Sequence, residues 1–206
     1  MPTQTFYRLP EEKRERLIDA AWEEFTTNRF ADASINRIVR AACIPRGSFY
    51  QYFEGKDELF FLLLGTVRDE AFGMMSSALA ENSGDPFRAA LLLFDDVFRR
   101  DGTVRPSMVR VMRVLRLNQN MDVSQMVLGR LRSDPRLHEL EAQINWTDFC
   151  RTDAAFLHSV AELFVFSFAC AVRNILVDNA SYDAEREKLC SRLDILRRGS
   201  MKEESV

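Results

Sequence analysis

The sequence predicts an all-α fold, with a small three-helix head at the N-terminal end and a larger helical body behind it. Two observations carry this. Apolar residues recur at helical spacing nearly throughout, with no sustained strand-like alternation. The six prolines and eight glycines stand mostly at element boundaries.

The first helix opens at Pro10, with Glu11 and Glu12 in its first turn, where acids suit the helix dipole. Ile18, Ala21, Trp22 and Phe25 form its apolar stripe at i, i+3, i+4 and i+7. Ser34 is placed to cap a second, short helix whose inner face is Ile35, Ile38, Val39 and Ala42. A break follows at Cys43 and Ile44, and Pro45 opens a third helix that buries Phe49 and Phe53 and ends near Glu54 and Gly55. A fourth helix starts at Lys56 and runs towards Ala80. The run 81–86 (ENSGDP) is the clearest linker, and helices are expected over 87–100, 105–120, 122–150, 153–179 and 182–198, with a break near Pro135. The expected division is a head over residues 1–56 and a body over 57–206.

Composition narrows the function classes. The chain has 206 residues, 47% of them hydrophobic, so a core can form without disulfides or metals. A net charge of −3 argues against a nonspecific nucleic-acid coat but leaves room for a local basic patch. Cys43, Cys150, Cys170 and Cys190 are scattered, as reduced thiols of an intracellular protein would be. The N-terminal residues carry charge where a signal peptide would be apolar. The most apolar stretch, Val160–Val172, is too short to span a bilayer. The expectation is a soluble, cytoplasmic protein with no membrane partner.

Residues 34–53 meet the demands of a helix-turn-helix: a short helix, a tight turn and a second helix whose outer face can enter the major groove. Between Ala33 and Phe53 stand three arginines (Arg37, Arg40, Arg46) and no acid, which suits phosphate neutralisation. Gly47 lets backbone approach closely, and Arg46 is suited to a guanine edge or a phosphate. Tyr50, Gln51 and Tyr52 add hydroxyl and amide groups.

The run ASINRIVRAACIPRGSFYQYFEGKDELF (33–60) resembles the N-terminal signature of TetR-family regulators. The tail run SYDAEREKLCSRLDILRRG is similar to the last helix of many members. The resemblance implies that Ser34 bonds a phosphate, that Arg46, Gly47 and Ser48 face base edges, that Tyr50 and Tyr52 grip phosphates, and that Lys56 holds a further phosphate. Cys43 stands where the family usually has a turn glycine, and Pro45 replaces a commoner small polar residue.

Competing readings are structural. Phe49 and Phe53 read as core, and Arg37 and Arg40 as solvated helix charges. Cys43, beside Arg40 and Arg46, is either a redox-sensitive thiol or, preferably, a small buried turn residue. His138 and His158 lack a second ligand at metal spacing, and no cofactor motif occurs. No metal, cofactor or enzymatic activity is therefore expected; a hydrolase or transferase using Cys150 or His158 is the weak alternative. A helical interaction module without DNA binding is the other.

In the body, residues 153–179 are apolar on nearly all sides, so one face can pack internally and another against a second copy. With Leu189, Leu193 and Leu196 of the last helix they are expected to build a four-helix homodimer interface. The expected ligand site takes Met108, Met112, Leu115, Trp146, Phe149 and Phe164, with Arg113 or Asn118 as polar anchor, for a small apolar or amphipathic effector. Core filling is the competing reading for each of these side chains. The expected function is a repressor that binds a double-stranded DNA operator as a dimer and is released by its effector.

Overall fold

The computed structural model describes residues 2–98, 104–118 and 134–202. Its helices in chain order are α1 (Gln4–Tyr7), α2 (Glu11–Thr27), α3 (Ile35–Ala41), α4 (Arg46–Tyr52), α5 (Lys56–Glu81), α6 (Pro86–Phe98), α7 (Pro106–Leu117), α8 (Arg136–Glu141), α9 (Ala154–Leu176) and α10 (Tyr182–Ser200), with short 3₁₀ turns at Phe30–Asp32 and Trp146–Asp148. Among the described residues the only extended pairing is an isolated antiparallel bridge between Phe149 and Met201. The protein is all-α.

The chain forms two compact units, one comprising Met1–Glu70 with Pro106–Gly129 and the other Ala71–Arg105 with Arg130–Val206. In the first, α2, α3, α4 and the start of α5 close around Leu17, Trp22, Phe25, Ile38, Phe49, Phe53 and Phe60. Each such side chain contributes about 1.5–3 kcal/mol by leaving water. The helix starts follow the predicted signals, with Pro10, Ser34 and Pro45 as the residues that precede α2, α3 and α4. On α2 the fully buried residues are Leu17 and Ala21, whereas Ile18 is half-buried. Helix α7 belongs to this unit because Val114 is fully buried in the same core, with Met108 and Val111 packed on it.

In the second unit α6 buries Phe87, Ala89, Ala90, Leu93, Phe94, Val97 and Phe98. Asp95 ties α6 to α10: it accepts from the Tyr182 hydroxyl at 2.5 Å and from Arg186 Nε and Nη2 at 2.6 and 2.8 Å. Burial and the Asp95 carboxylate together raise the Tyr182 phenol pKa above its ordinary value. On α9 and α10, Asn174 donates to the buried Glu185 at 2.9 Å. Helix α5 ends in a left-handed turn at Ser83 and Gly84 (φ +55° and +79°). The Gly84 amide returns to the Leu79 carbonyl at 2.8 Å, and its carbonyl accepts the Asn145 amide at 3.0 Å.

The expected helix over 122–150 is not continuous. Residues 119–133 lie outside the described residues, and 134–153 hold only the single short helix α8 and a 3₁₀ turn. That stretch is fixed by backbone pairing with the chain's far end, where the Cys150 and Lys202 amides donate to Ser200 and Asp148 at 2.9 Å each.

Helix α9 has 23 residues, so it extends well past the Val160–Val172 stretch and is long and apolar enough to cross a membrane by length and composition. Only 17% of its most apolar part is buried. Leu163 and Phe166 on α9 and Ile195 on α10 are 53%, 69% and 70% exposed.

Candidate nucleic-acid interface

The turn between α3 and α4 is built on Cys43, whose φ of +54° is in the left-handed region. A β-carbon strains that backbone, which is why a glycine suits the position. The Ile44 amide reaches back to the Val39 carbonyl at 3.0 Å and closes the turn. Contrary to the expectation of a buried turn residue, the Cys43 side chain is exposed.

Helix α4 has two faces. Phe49 and Tyr52 point into the core, while Arg46, Gly47, Tyr50 and Gln51 are exposed at i, i+1, i+4 and i+5. A Cβ built on Gly47 meets nothing within 4 Å, so close approach from outside is open there. Ser48 is half-buried, and Tyr52 is only 8% exposed. The outward face therefore joins Arg46, Gly47 and Tyr50 of the predicted set and adds Gln51. Spacing already placed Gln51 there, because it lies one helical step from Tyr50 and one turn from Gly47.

Ser34 sits half-buried before α3 and makes no side-chain cap hydrogen bond. Its amide instead donates to Glu24 Oε1 at 2.8 Å. Glu24, on α2, also accepts from Arg37 Nε at 3.0 and 2.9 Å and from Nη2 at 2.5 Å. Arg37, 54% exposed as a solvated helix charge would be, is at the same time the fork that holds α2 to α3. Burial pushes the Glu24 carboxyl up, but the hydrogen bonds from Arg37 and the Ser34 amide outweigh it and hold the carboxyl below its ordinary range. With Arg37 engaged, the positive charge on the outer surface of the α3–α4 pair comes from Arg40 and Arg46, both exposed. Glu24 was not singled out from the sequence, although it falls three residues after Ala21 on the buried stripe.

Lys56 begins α5 and faces inward. Its Nζ donates to the carbonyls of Phe30, Ala31 and Ala33 at 2.7, 2.9 and 3.2 Å. It also lies 4.9 Å from the centroid of the Phe30 ring. The loop it grips is held from a second side, where the Phe30 amide donates to Asn118 Oδ1 at 2.8 Å.

The residues expected to line a ligand site fall into both units. In the first, Met108 packs on the core, Met112 and Leu115 are half-buried, and Arg113 is exposed. Asn118 is buried, with its oxygen on Phe30 and its Nδ2 on the Val114 carbonyl at 2.8 Å. In the second, Phe149 and Phe164 pack on Phe87, and Trp146 packs on Phe149. The Phe149 and Phe164 rings lie 6.2 and 6.4 Å from Phe87, and Trp146 lies 4.9 Å from Phe149. The Trp146 indole donates to the Glu141 carbonyl at 2.9 Å. Among the described residues no group of three metal-ligating side chains comes together. Cys150 and His158 are each exposed, and His158 lies 3.8 Å from Glu162 on its own helix.

Residues 17–63 match the family model described as bacterial regulatory proteins, tetR family. Among curated proteins, the chain is 34% identical over 91 residues to the uncharacterized HTH-type transcriptional regulator YdgC of Bacillus subtilis, covering 43% of this chain and 47% of that one. It is 41% identical over 56 residues to the HTH-type transcriptional regulator SrpR of Pseudomonas putida, covering 27% and 26%. The chain thus spans about a quarter to a half of the length of these curated relatives. A TetR transcriptional regulator from Rhodococcus sp. RHA1 shares the fold, with a TM-score of 0.55 and 16% identity over 91% of this chain and 97% of that one. Both curated relatives are named as HTH-type transcriptional regulators.

Proposed function

We propose that this chain, whose residues 17–63 belong to the tetR family of bacterial regulatory proteins, is a ligand-responsive, DNA-binding repressor. It binds a pseudopalindromic operator as a homodimer in the cytoplasm and leaves it when a small apolar or amphipathic effector binds the body. The observation that carries the reading is the outward face of α4. Arg46, Gly47, Tyr50 and Gln51 form an exposed set free of acids, beside Arg40 of α3. Arg46 and Gln51 suit base edges, and the tyrosine hydroxyl suits a phosphate. Ser34 and Ser48, both half-buried, are assigned contacts of their own, Ser34 to a phosphate and Ser48 to a base edge. Lys56 and Tyr52 act from behind it, holding loop and helix in place.

The homodimer reading is supported by the uncovered apolar side chains of α9 and α10, among them Phe166 and Ile195, which are 69% and 70% exposed. A two-fold pair would set two reading heads about 34–36 Å apart, one turn of DNA. The continuous helix α5, which begins in the first compact unit and ends in the second, supports a mechanical link between effector and operator. The effector must then bind the DNA-incompetent form more tightly. The effector site is proposed beside Trp146 and Phe164, both half-buried, which pack against the buried Phe149 and Phe87.

Selection of bound duplexes from a random pool by the full chain tests the reading. A palindromic consensus, lost on Arg46→Ala, is the expected result; absence of enrichment refutes DNA recognition. Phe166→Glu is expected to convert the dimer to a monomer in sedimentation. Recovery of the wild-type chain in the membrane fraction would assign the apolar face of α9 to lipid instead.

A further inference from the structure

The reading helix is held at its far end by a segment that lies outside the family-matching residues. Helix α4 has only seven residues, about 10 Å of helix, and so short a helix is marginal without outside support. The last carbonyls of any helix lack partners within it, and α4 has no basic side chain in its last turn to meet them. The Phe49 carbonyl is taken by the Phe53 amide at 2.9 Å. The last two acceptors of α4, the Gln51 and Tyr52 carbonyls, are met from 48 and 49 residues upstream. The Thr3 hydroxyl donates to the Gln51 carbonyl at 2.7 Å, and the Thr3 amide donates to the Tyr52 carbonyl at 3.0 Å.

This contact is anchored on both sides. The Thr3 carbonyl accepts the Phe6 amide at 3.1 Å. Phe6, 2% exposed, lies with its ring 4.9 Å from that of Phe53. Leu9 packs on the same core immediately before α2 begins. The arm over residues 2–10 therefore ties the start of α2 to the end of α4, directly behind Tyr50 and Gln51.

We infer that this N-terminal arm is a positioning element for the reading helix: Thr3 caps its C-terminal end and Phe6 braces it, so that the exposed face of α4 is presented in one orientation. The inference rests on the DNA-reading function proposed above. It makes no direct contact with DNA a requirement, which separates it from a second DNA-binding element.

The test uses the full chain and the duplex recovered by selection. Thr3→Val removes the hydroxyl donor while keeping the branched shape, and is expected to weaken operator binding about three- to tenfold, the worth of one hydrogen bond. Thr3→Ser, which keeps the donor, is expected to bind like the wild type, and Phe6→Ala to weaken binding at least as much as Thr3→Val. Amide exchange at Phe49–Phe53 should quicken in Thr3→Val with that of α2 unchanged. The slope of log affinity against log salt should stay constant, because no phosphate contact is lost. Equal binding and equal exchange in Thr3→Val and the wild type overturn the inference. So does a fall of about one in the salt slope, which would make the arm a direct phosphate contact. A wild-type chain that selects no duplex overturns the proposed function, and the exchange measurement then decides alone whether the arm holds α4.

Discussion

Replacing Lys56 by methionine separates two roles that predict opposite results. Methionine keeps most of the apolar stem and removes the ammonium. In the structure that ammonium donates to three carbonyls of the 30–33 loop and sits over the Phe30 ring. A hydrogen bond from a charged donor contributes about 1.5–3 kcal/mol net. The three here share one half-exposed cation and cannot be summed, so a total of about 2–3 kcal/mol is the working figure. For a chain of this length that corresponds to a fall in melting temperature of roughly 5–10 °C. A phosphate contact, by contrast, would leave stability nearly unchanged and reduce the salt slope of operator binding by about 0.9. Calorimetry and a salt titration of operator binding read the two quantities independently. Lys56→Met is expected to lose stability and keep its salt slope, whereas Arg46→Ala is expected to keep stability and relax sequence discrimination. A stable Lys56→Met protein with a reduced slope would refute the clamp.

Three further outcomes follow from backbone and charge. Cys43→Gly relieves a left-handed residue and is expected to stabilise the fold by about 1 kcal/mol in urea titration; any loss of stability would count against the turn described. Gly84→Ala is expected to cost about 2–4 kcal/mol, since an alanine there is left-handed and its Cβ would stand 2.7 Å from the Asn145 amide nitrogen and the Gln143 carbonyl oxygen; an unchanged urea midpoint would contradict it. The Glu24 carboxyl lies below its ordinary value when folded, so its contribution is complete above that value and is lost as pH falls through the folded one. Stability should therefore decline below about pH 4.5, and Glu24→Gln should flatten that decline; equal acid sensitivity in both proteins would sever the link.

What the sequence revealed and what it hid divide along the range of the interactions. Pro10, Ser34 and Pro45 precede helices because their effects act within a turn of chain, and these starts appear where predicted. Phe49 and Phe53 are fully buried for the same reason, periodicity being a local property. The arm was invisible because Phe6 acquires meaning only from Phe53, and Thr3 only from the end of α4. Glu24 looked like one acid among several until Arg37 closed on it. The expected helix over 122–150 took in residues 136–150 on their apolar spacing, yet the end of that stretch is set by pairing with residues 200–202, which no local pattern records. On α4, Arg46, Gly47 and Tyr50 are exposed as expected, but Tyr52, read with them on the exposed face, is buried because its place on the helix turns it towards Phe49 and the core.

The uncovered apolar side of α9 has a consequence for how the protein would respond to its own abundance. If Leu163, Phe166 and Ile195 are covered only by a second copy, the DNA-competent species is scarce whenever chains are scarce. Below the dissociation constant of the pair, its concentration follows the square of the chain concentration by mass action. Halving the number of chains in the cell would then cut the competent species about fourfold, so gene dosage would act on the operator as a second input, independent of any effector.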